Sequence, residues 1–364
     1  MESQQGTILI TGGTGFIGSN LAMRLLEADP RKRVVLFDRD PDMRRLTGFK
    51  SSVAGVKDRY TPVKDRITFV QGDLTLLPHV LALFDTHQPD SVFHLGALLS
   101  AGAEGNPTMG FQTDLVGSWN VFEAARLYCQ HAGTPPVRVL FPSTIASFGR
   151  FIQPGALVPN EAVQMPTTMY GVSKVSVERL GEYYTSKGWI DFRAVRFPSV
   201  IGASRGPGGT TVYSTLLVQL PAQGIPYQPY VHADTPLDII YVTDAIDALL
   251  VLHDADGTRL TRANRRVYNI AGIRTGQGKP PLASDIAAEV KNEVRGAQIN
   301  FPSAETPTPL EATVRSFGVL DDSAAQDDWG WRKQRTDLTT TVRLFAQEVR
   351  DYPDRIKAIE LFGS

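Results

Sequence analysis

The stretch ILITGGTGFIGSNLA, residues 8–22, decides how the rest of the chain is read. A short apolar run leads into glycines, and apolar residues at helical spacing follow. Glycine permits a tight turn, lets backbone approach a ligand closely and allows a helix to pack on the strand before it. Gly12, Gly15 and Gly18, with Phe16 and Ile17 between the last two, predict a strand, a phosphate-binding turn and a helix from Phe16 to about Ala28. The free N–H groups and positive dipole end of that helix suit a pyrophosphate. The glycine pattern is weak by itself; the strand before it and the helix after it supply the context it needs.

Working outward, apolar strand patterns recur at RVVLFD (33–38), RITFVQGD (66–73), SVFHLGA (91–97), VRVLFPS (137–143) and FRAVRFPS (192–199), with helical periodicity between most of them. Continuous apolar strands alternating with helices imply a parallel sheet covered on both faces, a doubly wound α/β Rossmann fold. The second strand ends in Asp38, twenty residues past Gly18. A carboxylate there accepts both hydroxyls of an adenosine ribose and repels a 2′-phosphate, which favours NAD over NADP. Arg39 leaves the other choice open, since a guanidinium beside the ribose accommodates a phosphate.

After Ser199 the pattern loosens. Residues 202–236 are rich in Gly, Pro, Ser and Thr, strand-like pieces return at LDIIYV (237–242) and RVYNIAG (266–272), and a helix is expected near 336–350. We expect residues 1–199 to form the cofactor-binding domain, with 237–272 returning to it. Residues 200–236 and 273–364 then make a smaller substrate-binding or lid domain. The charged stretch 39–66 reads as a solvated connection.

The bulk properties exclude several classes. Of 364 residues, 42% are hydrophobic and 21% charged, with a formal net charge of −1, so there is no electrostatic footprint for nucleic acid or membrane. The single cysteine, Cys129, rules out an intrachain disulfide and a Cys-based zinc site, and no metal is expected. Apolar runs such as ALLVL (248–252) are too short to span a bilayer, and the N-terminus lacks a secretory pattern, so a cytoplasmic location is expected.

In MYGVSK (169–174), Tyr170 and Lys174 stand four apart, on one face of a helix. Such a pair arises often by chance and decides nothing alone. Taken with TGGTGFIG, GDL (72–74), HLGA (94–97) and PSTIASFG (142–149), however, it gives an order and spacing that resemble the extended short-chain dehydrogenase/reductase family over nearly the whole chain. Within that family, HLGALLSAGAEGNP (94–107), GPGGTT (206–211), IIYVTDAIDA (239–248) and DDSAAQDDWGW (321–331) are most similar to the short-chain type of L-threonine 3-dehydrogenases. GWIDFRAVRFPSV (188–200) resembles D-erythronate dehydrogenases.

The resemblance implies roles. Tyr170 is the general base, its phenolate favoured by the Lys174 ammonium and by the oxidised nicotinamide. Lys174 also holds the nicotinamide ribose, and Thr144 hydrogen-bonds the reacting oxygen, with Ser143 able to share that task. Asp73, followed by Leu74, falls where the adenine is contacted; Leu95, Gly96 and Ala97 pass beneath the cofactor, and Phe197 with Pro198 lies beside the carboxamide. Ser100, Thr210 and Thr211 fall where substrate is touched. The expected activity is oxidation of a secondary alcohol on a small polar molecule (a hydroxy acid, a polyol or a threonine-like compound), with epimerisation or dehydration of a nucleotide sugar as the alternative. A homodimer through the helices near 111–130 and 170–187 is implied as well.

Two positions depart from the family pattern. Asp114 stands in DLVG where an asparagine is usual, and Val212 stands in GGTTVY where a carboxylate is usual. The second departure leads us to expect a hydroxy acid or polyol in preference to L-threonine. Arg205 is available to bind a carboxylate, and Glu104 is the residue that could still meet an ammonium.

Overall fold

Alternate residues of the first strand point to opposite faces of a sheet. In β1 (Thr7–Thr11), Ile8 and Ile10 enter one hydrophobic core and Leu9 the other. In β2 (Arg33–Asp38), Val34 and Leu36 share the first core, and Val35 and Phe37 the second. Burial on both faces is why these strands read as unbroken apolar runs. The structure, a computed structural model, describes residues 6–303 and 306–356; positions 1–5, 304–305 and 357–364 of the two expected domains lie outside it.

The remaining strands are β3 (Ile67–Gln71), β4 (Ser91–His94), β5 (Arg138–Thr144), β6 (Leu157–Val158), β7 (Asp191–Phe197), β8 (Ser199–Ile201), β9 (Ile239–Tyr241), β10 (Val267–Asn269) and β11 (Val319–Leu320). Seven of them form one parallel sheet in the order β10-β7-β5-β4-β1-β2-β3. Helices Phe16–Ala28 and Val242–Asp254 pack together against one face. Helices Leu77–His87, Gly117–Ala132 and Met169–Ser186 cover the other. This is a doubly wound Rossmann fold. The chain reverses direction across the sheet between β1 and β4, and ligands of such sheets bind in the crevice at that switch point.

Of the two late strand patterns, β10 is the edge strand of this sheet, while β9 pairs instead with β8 in a separate two-stranded sheet. Helix Leu338–Asp351 lies on Ala283–Glu293 and Tyr213–Ala222, making a helical layer on the side of the chain that follows β8.

The stretch 39–66 is largely solvated, as expected, but part of it is anchored. Leu46 and Phe49 are fully buried, and the Phe49 ring lies between the guanidinium groups of Arg355 (3.6 Å from its centroid) and Arg59 (4.4 Å). Cation–π stacking lets a charge-rich segment dock without an apolar periodicity to announce it.

Candidate active site

The turn after β1 and the loop after β4 meet at the switch point. Gly12 has φ +64°, and a Cβ there would stand 2.8 Å from the Gly96 Cα, so no larger side chain fits between the two loops. Helix Phe16–Ala28 starts at Gly15 with no side chain capping its first N–H groups, which leaves them for an anion. At the end of β2 the Asp38 carboxylate accepts from the Thr14 hydroxyl (2.7 Å) and N–H (3.2 Å), fixing it on the rim. A turn kept open by glycine, an uncapped helix start and an oriented carboxylate fit the two phosphates and the ribose of a dinucleotide. Gly12, Gly15, Phe16, Ile17, Gly18 and Asp38 all line one cleft of ≈ 430 Å³. Leu95, Gly96, Ala97, Ser143 and Phe197 line it too.

Two expected cofactor contacts do not reach the cleft lining. Asp73 closes a turn on itself, its carboxylate accepting from the N–H and hydroxyl of Thr75 (both 2.8 Å). Leu74 is buried, with its side chain packed against Gly96 from behind. Arg39, the residue that left NADP open, does not line the cleft either. Arg45 does, donating from Nε to the Ser204 carbonyl (3.0 Å).

Thr168 caps helix Met169–Ser186 by accepting from the Gly171 N–H (3.1 Å), which puts Tyr170 in the first turn. Gly171 is required for contact: a Cβ there would stand 2.3 Å from the Ala146 carbonyl oxygen. The helix start therefore presses on the turn that carries Thr144, and Tyr170, Lys174 and Thr144 come to line the same cleft. Thr144 Oγ1 accepts from the Ala146 N–H (3.2 Å), and its own proton remains to be donated. Lys174 is buried, with Nζ donating to the Pro142 carbonyl (2.8 Å) and lying 5.4 Å from the Tyr170 ring centroid.

The electrostatics differ from the expectation in one respect. Burial pushes the Tyr170 phenol up, with the Asp114 carboxylate second, and Arg205 rather than Lys174 is the group that opposes them. Burial also brings Lys174 down to about 8, against the pull of Asp114 and Glu178. Unlike the Thr144 proton, that of Ser143 is already committed. Its hydroxyl donates to Glu178, which is itself paired with Arg196 (2.8 Å) in the buried layer below.

The far wall is β8 and the loop 202–211 that follows it. Ser100, Thr210 and Thr211 line the cleft there, and the Thr210 N–H donates to Ser100 Oγ (3.0 Å), tying the two sides together. Arg205 lines it as well. Two substrate arguments from sequence are corrected. Val212 is buried at the start of helix Tyr213–Ala222 and does not line the cleft, so its identity does not set the charge there. Glu104 is also absent from the lining; its carboxylate accepts from the Met169 N–H. Among the lining residues that sequence reasoning missed, Arg45 comes from the charged stretch, and Phe317 comes from a segment with no motif to mark it.

A parallel-sheet crevice with a dinucleotide cradle and a Tyr–Lys pair lining it defines a nicotinamide-dependent enzyme of the short-chain dehydrogenase class. Residues 8–271 match the NAD dependent epimerase/dehydratase family, and the chain belongs to it, with NAD as its cofactor. It is 30% identical over 347 residues to an uncharacterised epimerase/dehydratase of Staphylococcus haemolyticus, covering 94% of this chain and 98% of that one. Among solved structures it is similar to the GalE-like L-threonine dehydrogenase from Cupriavidus necator (holo form), at 30% identity and TM-score 0.77 over 94% of this chain and 99% of that one. A UDP-glucose 4-epimerase of Thermotoga maritima shares the fold at 20% identity and TM-score 0.70, covering 94% of this chain and 98% of that one.

Proposed function

We propose that the chain is an NAD-dependent dehydrogenase that oxidises a secondary alcohol on a small polar substrate. The observation that carries this reading is the convergence of Tyr170, Lys174 and Thr144 on the cleft that also holds the glycine cradle. Bound NAD supplies the hydride acceptor and, in its oxidised form, a positive charge in the cleft. Tyr170 takes the alcohol proton while the carbon gives up its hydride, and the Thr144 hydroxyl donates to the reacting oxygen as negative charge gathers on it. Lys174, anchored on Pro142, would hold the nicotinamide ribose, while Arg205 is the cation that favours the ionised phenol. The Gly12–Gly18 turn and the uncapped helix start would hold the phosphates, Asp38 the adenosine ribose, and Leu95–Ala97 with Phe197 the floor.

The deciding measurement is NADH absorbance with NAD and a panel of hydroxy acids, polyols and L-threonine. Accumulation of NADH with one class supports the dehydrogenase. Epimerase or dehydratase chemistry would retain the cofactor through its cycle, so conversion of a nucleotide sugar without net NADH would replace this reading.

The division into a cofactor domain (1–199 with 237–272) and a substrate domain belongs to the same proposal, supported by the place of β10 in the large sheet. So does a homodimer: Phe111, Trp119 and Leu127 on one helical stretch and Val172 and Tyr183 on the other are exposed. Light scattering showing a monomer at micromolar concentration would overturn that assembly. Among the described residues no helix is long and apolar enough to cross a membrane; a cytoplasmic location remains part of the proposal, to be read by fractionation.

A further inference from the structure

We propose that Arg205 is the anchor for a carboxylate on the substrate, and that the cleft therefore selects an anionic hydroxy acid over a zwitterionic amino acid or a neutral polyol. This rests on the dehydrogenase reading and names its substrate class.

Arg205, half-buried in the cleft wall, departs from the buried arginines. Arg193, Arg196 and Arg355 are almost wholly buried, and each pairs with a carboxylate, on Asp191, Glu178 and Glu348 respectively. Among the described residues Arg205 has no carboxylate partner, and its acceptors are neutral. Nη1 donates to Ser199 Oγ (3.0 Å) and to the Val200 carbonyl (2.8 Å), and Nη2 donates to Thr211 Oγ1 (3.0 Å). Burial pushes it down only to about 10, so it remains a cation at neutral pH.

The unused donors have a definite shape. The Ser199 and Thr211 oxygens are 2.8 Å apart and take Nη1 and Nη2, which places them at the end of the guanidinium. The Nε–H and the second Nη2–H remain, and they lie side by side on the lateral edge. Two parallel N–H groups on a planar cation match the two oxygens of a carboxylate. The group lines the same cleft as Tyr170 and Thr144, so a molecule held on this edge lies in the cleft that carries the base.

The charges around it exclude the zwitterion. Asp38 is the only carboxylate among the lining residues, and it belongs to the opposite, ribose-binding end. An ammonium entering beside Arg205 would lose its water and meet a like charge with no anion to offset it. A neutral polyol leaves the lateral edge of Arg205 desolvated and unmatched.

A matched series tests this on the full chain with NAD: β-hydroxybutyrate, L-threonine (the same skeleton with an ammonium), and the diol in which a hydroxymethyl replaces the carboxylate. The expected order in kcat/KM is β-hydroxybutyrate first, with about a hundredfold advantage over the diol. Arg205→Met should collapse that ratio toward unity, chiefly through KM, and Arg205→Lys should restore part of it, because charge returns without the fork. A preference for L-threonine of more than about tenfold, or an Arg205→Met variant that loses all activities equally, would overturn the proposal and leave Arg205 as a brace for the loop. Calorimetry with acetoacetate on the NADH-loaded protein separates this from a failure of the dehydrogenase reading. Binding that Arg205→Met abolishes sustains the anion site even without turnover. Absence of any acetoacetate binding by the parent overturns the site.

Discussion

Arg196 and Arg205 stand at the two ends of one short run of chain and in opposite surroundings. Below the catalytic helix, Arg196 meets Glu178 through Nε and Nη2, and its Nη1 reaches the Asn160 carbonyl (2.8 Å); Gln164 and Ser143 complete the carboxylate's partners. In the wall above, Arg205 meets only hydroxyls and a carbonyl. The layer below is closed electrostatically and sets geometry. The wall is open on one edge and is completed by what binds. A buried charge with its partner is architecture, and a half-buried charge without one is an address.

The sharpest way to break this contrast is in the lower layer. Glu178→Ala leaves Arg196 buried and unpaired, and should destabilise the fold by about 3–5 kcal/mol in denaturant melts. A loss below about 1 kcal/mol would show that the layer is not closed as described.

Asp114, a buried carboxylate near Lys174, is not closed in this way. Its Oδ1 accepts from the Leu98 N–H (2.6 Å), while Oδ2 is buried with no partner among the described residues. Burial raises its carboxyl from 3.8 to about 6, against the pull of Lys174 and of the Leu98 N–H. The fold thus favours the protonated form. That contribution to stability is full below pH ~4 and is lost as the pH rises through about 6. Asp114→Asn should therefore be more stable than the parent by up to about 3 kcal/mol at neutral pH and by little at pH ~4. Equal melting temperatures across that range would mean that water or a shifted side chain satisfies the carboxylate.

Tyr170→Phe asks whether the cleft works as a catalyst. It keeps the ring and removes the proton acceptor, so turnover should fall about a hundredfold or more with NAD affinity nearly unchanged. Turnover within a few-fold of the parent would exclude Tyr170 as the base. The smallest expected effect concerns Asp38 at the ribose end, where NAD should exceed NADP in kcat/KM by about tenfold. Equal use of the two would point to Arg45, the cation that does border the cleft, as a phosphate ligand.

Legibility in the sequence divides along the same line. The strand, glycine turn and helix at 8–28 could be read because local spacing and the demand for small residues act over a few positions. Tyr170 and Lys174 could be placed because one helical turn brings them to one face. The direction of the Ser143 hydroxyl could not, since it depends on Glu178 from another element. Phe49 escaped because two of the side chains that cover it are arginines, which hydropathy counts as solvent-seeking. Val212 misled for the converse reason: its position in a motif says nothing of which way a side chain turns at a helix start. The lateral edge of Arg205 is visible only once its other donors have been assigned.

The stacking of Arg355 on Phe49 reaches further than the packing of one ring. Arg355 also donates from Nε to the Arg45 carbonyl (3.0 Å), and Arg45 donates in turn to the carbonyl of Ser204, the residue before Arg205. The tail of the described chain is thus latched by two short links to the cleft wall that carries Arg205. Trimming the protein back to the end of helix Leu338–Asp351 would spare the sheet and its cradle, yet it would release the latch. Such a shortened enzyme should still bind NAD while discriminating poorly among alcohols.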